Sequence, residues 1–220
     1  MAKLSLVVLI SGQGSTLQAI IEQITAHKLD AEILAVISNN PTAYGLQRAN
    51  DANIKTHIIN HRDYHDRYQY DMALKNIIDL YQPDIIVLAG FMRILSAEFI
   101  NTFQHKIVNV HPSLLPAYKG LNTHQRALED QAKEHGCSIH FVTEALDGGP
   151  VVLQARVAIL DTDDANTLAQ RVQAKEHIIY PRVLQWLADS TLIHKGDEIF
   201  FQGTPLNAPL MLDEITSKTA

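Results

Sequence analysis

An asparagine and a histidine, Asn109 and His111, stand two apart at the end of the apolar run KIVNVH. In a strand, side chains two residues apart share a face, so the carboxamide and the imidazole project together while Val110 packs the other way. Pro112 follows directly and pushes the backbone at His111 toward extended geometry, which holds the ring still. A carboxylate that could join them is Asp147 in TEALDGGPVV, where two glycines let backbone approach closely. An ion pair between them would favour the charged imidazole. Taken singly, an Asp in a turn is more often a turn former, and a polar residue at a strand end is more often simply satisfied. Taken together, the three suit attack of a neutral amine on an acyl carbon. Asn109 and a protonated His111 would donate to the developing oxyanion, and Asp147 would hold a water that relays the amine's proton, with no enzyme nucleophile.

The apolar pattern around these residues alternates between strand and helix periods, as βαβ units do. LSLVVLIS reads as a buried first strand, and STLQAIIEQITAH as a helix behind a Ser15 or Thr16 cap. AEILAVIS, THIIN, DIIVLAG and KIVNV read as further strands. Helices are expected from about Thr42, from Asp63 to Tyr81 before Pro83, after a Ser96 cap, and from His124 to Glu134. SIHFVTEALDGGPVVLQARVAI reads as two strands around an Asp-Gly-Gly-Pro turn, followed by a helix from about Asp164 to Ala188 with a kink at Pro181. The expected fold class is α/β, a Rossmann-like open twisted sheet, parallel in its N-terminal part and mixed toward the C-terminus, with helices on both faces. Ligands of such sheets bind beyond the carboxyl ends of the strands, where the glycine turns and the Asn109/His111 pair fall.

Composition narrows the classes. The chain has 220 residues, 46% hydrophobic and 19% charged, which suits one globular domain with no repeat or low-complexity tract. The single cysteine, Cys137, cannot form an internal disulfide and lies in a strand-like run, where a buried hydrophobe is the simpler role; a reducing cytoplasm fits. The opening MAKLSLVVLIS has too short an apolar core and no small-residue cleavage site for a signal peptide. No run is long enough to span a membrane, and a net charge of −6 argues against non-specific binding to nucleic acid or anionic lipid.

Two further stretches look like ligand sites. LVVLISGQGSTLQAI is strand, glycine turn and helix start, which aims the backbone N–H groups of Gly14, Ser15 and Thr16 at an anion. Leu17 stands where a dinucleotide fingerprint needs a third glycine, and a P-loop's Gly-Lys is absent, so a monophosphate is favoured over a dinucleotide or triphosphate, with a ligand-free tight turn as the competing reading. LAGFMRILS follows a strand end with an aromatic, a methionine, Arg93 and two aliphatics, a loop that could hold a flat heterocycle or simply pack a short helix. His57, His61 and His65 recur every four residues, but Asn60 and Arg62 break a zinc motif; they read as a solvated helix start, and no metal is expected.

With these motifs in hand, the sequence resembles the folate-dependent phosphoribosylglycinamide formyltransferases of purine synthesis. The resemblance runs from about Leu6 to Leu187 through VVLISGQGS, VLAGFMRILS, NVHPSLLPAYKG, HFVTEALDGGPV and RVQAKEHIIYP. It implies transfer of a formyl group from 10-formyltetrahydrofolate, as co-substrate, to the amine of glycinamide ribonucleotide, by a cytoplasmic monomer or homodimer with no nucleic-acid or membrane partner. Carried over by position, it gives Asn109, His111 and Asp147 the catalytic roles and Gly14, Ser15, Thr16, Gln173 and Glu176 the ribonucleotide. It gives the folate Arg67, Met92, Arg93, Ile94, Leu95, Asn109, Thr143, Glu144, Ala145, Leu146 and Asp147. Residues 1–202 are expected as one domain, with a phosphate-binding half to about 105 and a folate and catalytic half beyond it; 203–220 are expected as a loosely structured tail. The family usually carries Asn at Thr16, a further histidine in many members at Asn122, and often a lysine at Ala117. Among rivals, a formyl-folate hydrolase would carry an extra domain ahead of the first strand, and a methionyl-tRNA formyltransferase a C-terminal RNA-binding barrel. A non-catalytic phosphate or nucleotide sensor would have no use for all three polar groups.

Overall fold

The structure is a computed structural model that describes residues 3–196 and 198–217. Its frame is one eight-stranded sheet in the order β11-β7-β6-β5-β4-β1-β2-β3. The strands are β1 (Leu4–Ile10), β2 (Ala31–Ser38), β3 (Thr56–Ile58), β4 (Ile85–Leu88), β5 (Ile107–His111), β6 (Glu134–Phe141), β7 (Val151–Ala158) and the short β11 (Leu210–Met211). Strands β1 to β5 are mutually parallel, and β6 runs antiparallel to both β5 and β7, so the sheet starts parallel and becomes mixed as its sequence suggests. Leu6 to Ile10 are wholly shielded from water, which is why β1 is a continuous apolar run rather than an alternating one.

Helices cover both faces. α1 (Ser15–Thr25) and α6 (Ala165–Ala188) pack on the face that holds Val108 and Val110, while α3 (Arg67–Asp79) and α4 (Ala97–Thr102) pack on the face that holds Ile107. Pro181 lies inside α6, and the neighbouring Tyr180 hydroxyl is buried against β4 and β5, 2.7 Å from Val108 O and 3.2 Å from Leu88 O. Asp164 and Thr167 cap α6 reciprocally.

Local chemistry shifts several expected boundaries. The expected helix from Asp63 is two elements: Asn60 caps a 3-10 turn at His61–Asp63, Tyr64 is extended, and Asp66 then caps α3 by accepting from Gln69 N–H at 2.8 Å. The predicted Ser15 or Thr16 cap is not used; Gly14, at φ 68, precedes α1 with no side-chain cap. The stretch from 203 was expected to be loose, yet Leu210–Met211 add to the sheet edge parallel to β7, and Met211 and Leu212 are buried. β8 (Leu192–Lys195), β9 (Glu198–Phe201) and β10 (Thr204–Pro205) form a separate small antiparallel sheet. The last helix, α7 (Leu212–Ser217), packs on β7; residues 218–220 lie outside the described residues. Among the described residues no helix is long and apolar enough to cross a membrane.

Candidate active site

β5 carries Asn109 and His111 on the face opposite Val108 and Val110, as strand alternation requires. The 142–150 turn folds over that same face. Val142 packs against the apolar cluster that contains Ile107 and Phe99 and donates its N–H to Ile107 O at 2.9 Å, and Asn101 of α4 donates to Glu144 Oε1 at 2.7 Å. This brings Asp147 Oδ2 to 3.5 Å from His111 Nδ1, both side chains at least nine-tenths shielded. Asp147 has φ 45, a left-handed conformation that Asp tolerates better than most residues. Its Oδ2 also accepts from Gly120 N–H at 2.8 Å, which ties the turn to the loop after β5.

The imidazole of His111 is held from both sides. Its Nε2 is 2.9 Å from Tyr118 O, and a carbonyl only accepts, so that nitrogen carries a hydrogen. A second proton, on Nδ1, would face the Asp147 carboxylate. The loop that presents Tyr118 is braced from β6 and β7: Ser138 Oγ donates to Ser113 O at 2.6 Å and accepts from Leu115 N–H, and Gln154 Nε2 donates to Leu115 O.

A fourth member, His140, was not anticipated. In the antiparallel register Asn109 lies opposite His140, and Asn109 Nδ2 sits 3.1 Å from His140 Nε2. His140 Nδ1 is 3.1 Å from Phe141 O and must donate to it, which leaves Nε2 as the acceptor for the carboxamide. Burial pushes the His140 ring down to about 4, so it is neutral near pH 7 and suited to that role. The carboxamide orientation is thereby fixed, with one N–H on His140 and the other free.

The glycine turn is the second part. Gly14 and Gly45 approach so closely that a Cβ on Gly14 would lie 2.6 Å from Gly45 Cα. That approach, added to its positive φ, makes glycine necessary at Gly14. Gly45, the second residue of α2 (Tyr44–Asp51), donates its N–H to Gly12 O at 3.0 Å. Arg48 of α2 clasps the turn, with Nε donating to Gln13 O at 2.9 Å and Nη1 to Gln18 Oε1 at 3.3 Å. Neither Gly45 nor Arg48 was expected from sequence, since both act across 30 or more residues. Ser15 is half-buried and Thr16 is buried.

The remaining expected residues are spread around this centre. Met92 and Ile94 are exposed and Leu95 is buried in the loop after β4, while Arg93 places its guanidinium 5.3 Å from the Tyr70 ring centroid, its Nε buried without a partner. Thr143, Glu144, Ala145 and Leu146 are exposed on the Asp147 turn, and Arg67 is exposed at the start of α3. Gln173 and Glu176 lie on α6, hence on the sheet face opposite Asn109 and His111. Glu176 is buried on α6, close enough to Cys137 of β6 that, after burial, its charge helps raise that thiol. The three histidines at four-residue spacing do not converge: His57 bonds Tyr81 at 2.6 Å, His61 contacts Asn39, and His65 is exposed. Among the described residues no group of three His, Cys, Asp or Glu could hold a metal ion.

Burial raises the Glu176 carboxyl from its ordinary 4.5 to about 7. The folded chain therefore keeps a proton that the unfolded chain releases above about 4.5, so stability falls as pH rises through that window and the loss is complete above 7. Glu176→Gln should match the native protein in urea unfolding near pH 4.5 and exceed it at pH 8, by up to about 3 kcal/mol. Parallel pH profiles for the two proteins would contradict this.

Asn109 and the buried His111, with the Asp147 carboxylate turned onto the imidazole, thus lie at the carboxyl end of β5, a strand in the parallel part of an α/β sheet. The chain matches the formyl transferase family over residues 4–184 and belongs to it. Its relatives there include the phosphoribosylglycinamide formyltransferase of Escherichia coli (strain K12), 50% identical over 189 residues that cover 86% of this chain and 89% of that one. The Haemophilus influenzae enzyme of the same name is 42% identical over 90% of this chain and 94% of its own. Among solved structures, the phosphoribosylglycinamide formyltransferase of Coxiella burnetii in complex with CHES superposes with a TM-score of 0.89 at 49% identity, covering 94% of this chain and 99% of that one.

Proposed function

We propose that this chain transfers the formyl group of 10-formyltetrahydrofolate to the amine of glycinamide ribonucleotide, in the cytoplasm, as a step of purine synthesis. The observation that carries the reading is the meeting of Asn109, His111 and Asp147 in one shielded cluster, braced by His140. The free amine attacks the formyl carbon, and negative charge builds on the carbonyl oxygen. The unengaged N–H of Asn109 and a proton of His111 donate to it. In the ligand-free protein the Nε2 proton of His111 is committed to Tyr118 O, so the oxyanion must take that carbonyl's place or the imidazole must turn. Asp147 faces the imidazole with its charge and takes the amine's proton through water, and the same relay delivers a proton to the tetrahydrofolate nitrogen as the carbonyl re-forms and the bond to the formyl carbon breaks, so that nitrogen departs neutral.

The ribonucleotide phosphate is assigned to the N–H groups of Gly14, Ser15 and Thr16 at the start of α1, where the helix dipole favours an anion. Gln173 and Glu176 are assigned to the rest of that substrate. The folate is assigned to Met92–Leu95 and Thr143–Asp147, among which Met92, Ile94 and Leu146 are exposed apolar side chains. Arg93 and Arg67 are assigned to the folate's polar end.

The test follows the absorbance change as 10-formyltetrahydrofolate is deformylated, with and without glycinamide ribonucleotide. Turnover only with the amine is expected. Turnover without it would make the chain a hydrolase, and none in either case would leave a binding protein.

A further inference from the structure

The carboxyl ends of β4, β1, β2 and β3, neighbours in that order in the sheet, are joined by a row of side-chain hydrogen bonds. Met92 N–H, after β4, donates to Ser11 Oγ at 2.7 Å. The Ser11 hydroxyl, just past β1, donates to Asn39 Oδ1 at 2.6 Å. His61, beyond β3, places Nδ1 3.2 Å from Asn39 Nδ2 and 3.0 Å from Asn39 O, a bond in either ring tautomer. Asn40 Nδ2 adds a bond to Ser11 O at 3.3 Å.

Two features make Ser11 the joint of this row. Asn39 is only 4% exposed, so its amide oxygen has little water to turn to if the serine is lost. A hydroxyl has one hydrogen, and an amide oxygen can only accept; the hydrogen is therefore committed to Asn39, which leaves a lone pair for Met92 N–H. One side chain thus fixes the start of the glycine turn relative to the Met92–Leu95 loop.

We propose that Ser11 is a positioning residue that couples the two substrate subsites. The inference rests on the assignment above of the glycine turn to the ribonucleotide phosphate and of Met92–Leu95 to the folate. A phosphate that orders the turn also holds Ser11, and through it the backbone of Met92, in the arrangement the folate slot needs. The second ligand then orders less of the chain, and by linkage the effect is reciprocal.

The test is equilibrium titration of the full chain with glycinamide ribonucleotide and with tetrahydrofolate, which lacks the formyl group and cannot react. Each is titrated alone and in saturating amounts of the other. In the native protein each ligand should tighten the other by about fivefold or more. Ser11→Ala should bring that factor close to one, and Ser11→Thr, which keeps a hydroxyl, should restore it. A residue that only supported the fold would shift both single-ligand affinities and leave the ratio alone. Native protein that binds both ligands independently, or a Ser11→Ala protein with an unchanged factor, overturns the coupling while leaving the proposed function standing. Native protein that binds neither ligand overturns both. A measurement without a variant guards against a misfolded Ser11→Ala: ribonucleotide alone should slow hydrogen exchange at the Met92 amide severalfold, and an unchanged rate counts against the proposal.

Discussion

Asp147→Asn is expected to give a folded protein that binds both substrates with near-native affinity and turns over about 10² to 10⁴ times more slowly. The substitution keeps shape and leaves one oxygen to accept from Gly120 N–H, the 2.8 Å bond that anchors the turn. What disappears is the charge 3.5 Å from His111 Nδ1 and the acceptor for the amine's proton. Both act on the transition state rather than on bound substrate, so the loss belongs in kcat with KM little changed. Steady-state kinetics beside a thermal melt separate this from unfolding. A native kcat would remove Asp147 from the mechanism. A large rise in KM for folate alone would make it a binding residue, through the turn it shares with Thr143 to Leu146.

How far this site could be read in the sequence follows from how local its parts are. Asn109 and His111 are joined by strand alternation and Pro112, two rules that act within three residues, and the structure places them as those rules require. Asp147 meets His111 because a turn bent by two glycines folds back over β5, which the sequence permits without fixing. His140 depends on the register of an antiparallel pair, Asn109 opposite His140, and no pattern within either strand announces it. Ser11 to Met92 and Arg48 to Gln13 likewise join segments that topology alone brings together. The α1 cap shows the same limit from the other side. Ser15 and Thr16 have the right chemistry for a cap, but the close approach of Gly45 to Gly14 decides where the helix begins. The C-terminal stretch shows little periodicity because only two of its residues join the sheet edge, too few for a period to register.

Asn109→Ala is expected to lower kcat by about 10² to 10³, the usual cost of one donor to an oxyanion. The reasoning turns on which way the carboxamide faces. His140 is neutral because burial holds it near 4, and its Nδ1 hydrogen is committed to Phe141 O, so Nε2 can only accept. Asn109 must present its NH₂ there, 3.1 Å away, and the second hydrogen of that group is left to aim at the forming oxyanion. With His140 removed the amide is free to flip, and an oxygen lone pair turned toward the oxyanion would repel it. His140→Ala should therefore cost about tenfold or more in kcat, through Asn109 rather than through contact with substrate. That relation has its own signature in a double-mutant cycle: once Asn109 is alanine, removing His140 should cost little more, so the two effects fall well short of adding. Full additivity would mean that His140 acts on the reaction independently. The state of the ring adds a second check. The contribution of His140 to stability should be lost as pH falls from about 6.5 toward 4, where the unfolded chain takes up a proton that the buried ring refuses, a dependence that His135 shares and that Glu176 opposes. The stability difference between the native protein and His140→Ala should therefore shrink as pH falls through that window, and a difference independent of pH would place the titrating group elsewhere.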